Sequence, residues 1–112
     1  MNPFPNATIS GTAIVLAPGH FNPDRAKTAF GLVRGSERFQ VLAVIDSKTA
    51  GQDAGDIVDS KKLDIPVFGS VNQALEKLEL RPEYAVIGIT TPGGILPDYL
   101  MLEIEQALEA GL

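Results

Sequence analysis

The residues whose types and spacing could do chemistry gather in three short loops. The first is Pro18-Gly19-His20-Phe21-Asn22, between an apolar run and a segment with helical patterning. A helix opening at Asn22-Pro23 would leave the N–H groups of His20 to Asp24 beside the positive end of its dipole, where an anion is stabilised. The second is Asp46-Ser47, at the end of another apolar run. A carboxylate there can bond a ribose hydroxyl or cap the turn that follows. The third is Thr90-Thr91-Pro92-Gly93-Gly94. Its hydroxyls and glycines permit close backbone approach to a ligand, and its glycines equally suit a plain turn with positive φ. These three loops supply the candidate cofactor-binding residues.

The usual glycine signatures are incomplete. The dinucleotide pattern G-x-G-x-x-G needs three glycines, and the first loop offers only Gly19. Lys27-Thr28 matches the tail of a Walker A loop, but Ala26 stands at its second glycine, inside the expected helix. No residue pattern identifies a catalytic group. The chain has no Cys and His20 is its only His, so no His- or Cys-based metal site and no His–Cys pair is expected within it. Lys27 reads as a solvated charge, and Glu103, Glu105 and Glu109 as a helix surface.

The elements that must position these loops are legible in the periodicity. Residues 12–17, 39–46, 65–69 and 84–89 are apolar runs of the kind found in strands buried on both faces. Between them, residues 22–34 and 70–78 carry helical stripes with N-caps at Asn22 and Ser70, and DAGDIVD reads as a short helix. A last helix opens at Pro97-Asp98, with Leu100, Met101, Ile104, Ala107 and Leu108 as its apolar side. The order β-α-β-(α)-β-α-β-α requires parallel strands and right-handed crossovers. The expectation is an α/β, Rossmann-like open parallel sheet of about four strands with helices on both faces. Residues 1–11 read as an irregular lead-in and 12–112 as the domain. A further strand would ordinarily follow the last helix, so the chain reads as a truncated fragment.

At 112 residues, one domain is expected. A formal net charge of −5 argues against nucleic acid as a partner. No apolar stretch is long enough for a membrane span, and the N-terminus has no signal-peptide pattern, so a cytoplasmic protein is expected.

Three segments together resemble a known family: AKTAFGLVRGSERFQVLAVIDSKTAGQDAGD, IPVFGSVNQALE and VIGITTPGGILPDYLMLEIEQALEAGL. They are similar to the N-terminal Rossmann-like domain of a two-domain family whose C-terminal half is a P-loop domain. That family was long labelled a domain of unknown function, and some members are described as D-glutamate N-acetyltransferases. The matched positions are Lys27, Thr28, Gly31, Arg34, Asp46, Gly51, Asp53, Ala54, Gly55, Pro92, Gly93 and Gly94, while Phe30 stands where a His is frequent. The resemblance implies an accessory nucleotide- or CoA-binding domain, inactive alone, with a P-loop domain as partner in the parent chain. Two of the segments also resemble the CoA-binding domain of succinyl-CoA ligase alpha chains, which implies an acyl-CoA lying across Gly19, Asp46 and Pro92. The ligands implied are thus acetyl-CoA, CoA or a nucleotide. Two alternatives stand beside this reading: a ligand-free structural module whose exposed sheet edges make a homo-oligomer, and an NAD-binding module of an oxidoreductase.

Overall fold

The run GTAIVL forms the central strand β1, Gly11–Leu16, with Ala13 to Leu16 almost wholly removed from water. This computed structural model describes residues 11–112, so most of the expected lead-in lies outside the described residues. β2 (Phe39–Ile45), β3 (Val67–Phe68) and β4 (Tyr84–Ile87) complete a sheet in the order β3-β2-β1-β4. Every pairing is parallel. The β1–β2 register slips by one residue between Ala13 and Ile14, so Leu42 is an extra residue on β2. The strand ends therefore gather at one edge, as the alternation of periods requires. The β1/β4 boundary, where connections leave in opposite directions, is the switch point of the sheet.

The helices α1 (Lys27–Arg34) and α2 (Ala54–Asp59) pack on one another, as do α3 (Val71–Lys77) and α4 (Asp98–Glu109). Right-handed crossovers place the first pair on one face of the sheet and the second on the other. Close approach holds α1 to the sheet. A Cβ on Gly88 would lie 2.6 Å from Val15 Cγ1 and 2.7 Å from Ala29 Cβ, and the Ala29 amide donates to the Gly88 carbonyl. None of the helices of the described residues is long and apolar enough to cross a membrane.

Two sequence expectations change. The helix after β1 begins at Lys27, not at Asn22. Asn22 does cap a turn, accepting from the amides of Asp24 (3.1 Å) and Arg25 (3.0 Å). That turn then stops, because the Arg25 carbonyl accepts from the Thr90 amide and the Ala29 amide is drawn to Gly88. Tertiary pairing across the switch point outcompetes continuation of the helix. The second change is Glu103. It is no surface residue but is 6% exposed, and its carboxylate accepts from the Val71 amide at 2.9 Å. Gln106 accepts from the Asn72 amide and Ser70 from the Gln73 amide, so side chains occupy the whole first turn of α3. In exchange, Met101 and Leu108 of the expected apolar stripe are exposed.

Candidate functional site

At the carboxyl edge of the sheet lies a cleft of about 390 Å³. Its walls are Pro18, Gly19 and His20 after β1, Ser47 and Lys48 after β2, Gly69 after β3, and Tyr99, Leu102 and Glu103 of α4. Asp46 lies beneath them, 1% exposed. Its Oδ1 accepts from the amides of Gly19 (2.7 Å) and Lys48 (3.3 Å), and its Oδ2 from the Thr49 hydroxyl (2.6 Å). Of its two expected roles, the geometry matches the turn cap: this carboxylate latches the loop after β1 to the loop after β2.

The first loop satisfies itself. The His20 amide donates to Ala17, the Asn22 amide to His20, and those of Asp24 and Arg25 to the Asn22 side chain. Of the amides expected to meet an anion, those of His20, Asn22 and Asp24 are thus bonded within the protein, and the cleft offers side chains as well. Gly19 has a φ of 76°, a conformation that favours glycine, and a Cβ there would meet nothing within 4 Å. Its role is to turn the chain rather than to make room. Phe21 points away from the cleft into the core, its ring edge-on to Phe30 at 5.2 Å.

His20 packs against Tyr99, ring centroids 5.4 Å apart. Burial, then the cationic Arg25 and Lys48, hold its imidazole below the ordinary value of 6.5, with Asp46 pulling the other way. His20 is therefore neutral at neutral pH and presents one donor and one acceptor. With Lys48, Ser47 and the Tyr99 hydroxyl, the cleft combines a cation and several neutral donors over apolar walls, a composition suited to a small molecule with an anionic group.

Of the residues expected from sequence, Pro18, Gly19, His20 and Ser47 come together, with Asp46 directly below. Thr90, Thr91, Gly93 and Gly94 are not among the residues lining the cleft. Thr90 is instead tied to Arg25, whose guanidinium donates to its carbonyl at 2.9 and 3.2 Å. Gly93 and Gly94 have φ of 63° and 73° in an exposed 3-10 turn. Tyr99, Leu102 and Glu103 were not expected at the cleft, and Lys48 and Gly69 lie in strand-end loops expected at this edge without being among the candidate binding residues. Lys48 and Gly69 follow strand ends, so their position was a usable signal. The α4 residues had none, because only the crossover of α4 onto α3 brings them to this edge.

A family model described as "Domain of unknown function (DUF1611_N) Rossmann-like domain" matches residues 47–112. A crystal structure of a DUF1611 family protein from Anabaena variabilis is similar over 90% of this chain, with a TM-score of 0.76 and 36% sequence identity. The chain belongs to the DUF1611 family. It spans 28% of the length of that DUF1611 relative. No curated protein matches it.

In this DUF1611 domain several of the motif residues have structural work. Asp53 caps α2 and accepts from the amides of Gly55 (2.9 Å), Leu63 (2.9 Å) and Ile65 (2.8 Å). A Cβ at Gly55 would overlap the Lys61 carbonyl. Lys27, Phe30 and Arg34 line a second hollow of about 480 Å³ between α1 and α2, where Arg34 pairs with Asp59 at 3.0 Å.

Proposed function

We propose that this DUF1611 domain is an accessory ligand-binding module of a larger protein. It seats the phosphate-bearing end of a CoA or a nucleotide and does no catalysis alone. The observation that carries the reading is the convergence of His20, Ser47, Lys48 and Tyr99 around one cleft at the carboxyl edge of a parallel sheet. The cleft volume falls within the usual range for small-molecule sites. Acetyl-CoA is the first ligand to test, because the resemblance extends to D-glutamate N-acetyltransferases. In this reading a P-loop domain of the same protein carries the nucleotide chemistry, and the assembled protein self-associates. The NAD-module alternative is weakened. A dinucleotide rests its pyrophosphate on free amides of the first turn, and here those of Asn22, Asp24 and Arg25 are engaged.

Calorimetry with acetyl-CoA, CoA, ATP and NAD tests the reading. Binding of at least one of the first three is expected, weakened roughly tenfold in Lys48→Ala by loss of a charge-assisted contact. Affinity for the anion should rise as pH falls through the lowered His20 value, below 6.5, because the imidazole gains its charge only there. His20→Ala should remove that pH dependence. Silence with all four ligands would overturn the proposal. The second reading, an interaction module, is favoured by the exposed apolar side chains from Leu80 to Leu108.

A further inference from the structure

Every large apolar side chain exposed among the described residues falls between Leu80 and Leu108. Several of them share one flank. β4 is an outer strand of the sheet among the described residues. Its sequence is YAVI, with Tyr84 and Ile87 each 42% exposed. It carries none of the lysines, prolines or bulges that usually guard an outer strand. A parallel strand turns alternate amides to opposite sides. The Gly88 amide donates to the Leu16 carbonyl of β1, so counting back by alternation Val86 also faces β1 and the amides of Ala85 and Ile87 face outward.

The helix above repeats the pattern. Glu103 and Gln106 mark the flank of α4 that meets α3. Met101 and Leu108, seven residues apart, lie on the opposite flank and are exposed. An apolar strand edge and an apolar helix flank thus make one step-shaped surface. Handedness says what fits it. α4 packs with α3, on the face of the right-handed β3–α3–β4 crossover. A right-handed connection through α4 leads to the outer side of β4, since β1 fills the inner side.

We infer that this step takes an extended apolar strand, parallel to β4, from the part of the DUF1611 protein outside this domain. The related DUF1611 protein has ample chain to supply it, since this domain covers 28% of its length. Main-chain bonds to the Ala85 and Ile87 amides set the register, and apolar side chains of the strand cover Ile87, Met101 and Leu108. The inference rests on the modular half of the reading above and not on ligand binding, so calorimetric silence leaves it standing.

The test is amide exchange, with light scattering, on the 112-residue chain and on the full-length Anabaena variabilis protein. The isolated chain is expected to be a monomer with fast exchange at Ala85 and Ile87. Their counterparts in the full-length relative should exchange at least tenfold more slowly. Ile87→Lys should leave the melting temperature of the isolated chain unchanged, while the matching substitution lowers that of the full-length relative. Equal exchange in the two proteins would overturn the inference. So would a stable dimer of this chain with those amides protected, which assigns the edge to a second copy.

Discussion

Two carboxylates organise the loops of this domain, and neither stands free for catalysis. Asp46 holds two strand-end loops together beneath the cleft. Asp53 gathers three backbone amides at the start of α2. Burial alone would push the Asp53 carboxyl up, but the hydrogen bonds from Leu63, Ile65 and Gly55 outweigh it and leave the net value below the ordinary 3.8. A lowered carboxylate contributes stability that is present above its unfolded value and is lost as pH falls through the folded one. Asp53→Asn should therefore cost about 1–3 kcal/mol near neutral pH, by losing charge-assisted acceptors for backbone donors. The difference from the parent should shrink below pH 3.8. Chemical denaturation across pH measures both, and a pH-independent difference would mean that the charge of Asp53 is not the cause.

Among the elements, α3 depends most on its neighbour. It is seven residues long, too short to be stable by propensity alone, and its first-turn amides are closed by Glu103, Gln106 and its own Ser70. Glu103→Ala removes the buried acceptor for the Val71 amide and should lower stability by about 1–3 kcal/mol. Thermal unfolding checks the loss, and Glu103→Gln, which keeps an acceptor oxygen, should recover part of it. α1 holds the opposite opportunity. Gly31 sits inside that helix, exposed, where a Cβ would meet nothing within 4 Å. Gly31→Ala should raise stability by roughly 0.5–1 kcal/mol by restricting the unfolded chain. A lower melting temperature would show that this face needs bare backbone.

For the whole molecule, the decisive feature is the order β3-β2-β1-β4. It buries Ala13 to Leu16 of β1, brings the loops after β1, β2 and β3 to one edge, and places α4 over them as the far wall of the cleft. The same order leaves β4 outermost among the described residues, with apolar side chains concentrated from Leu80 onward. Cleft and edge are thus two results of one topology, and the exchange and calorimetry experiments address them separately.

The sequence by itself determined the order of elements, the parallel sheet and four of the cleft residues, Pro18, Gly19, His20 and Ser47. Those features are local: a run of four to seven apolar residues, a cap, or a glycine needs only its near neighbours to declare itself. It also pointed to the family through motifs whose glycines and aspartates answer to backbone geometry, as Asp53 and Gly55 do. Tertiary structure alone decided the rest. Helix α1 starts late because Arg25 and Ala29 pair with residues more than fifty positions away. Glu103 is buried, and Tyr99 and Leu102 reach the cleft, because a crossover lays α4 against α3. Periodicity records how a residue relates to its own helix, and carries no information about which other element will lie across from it.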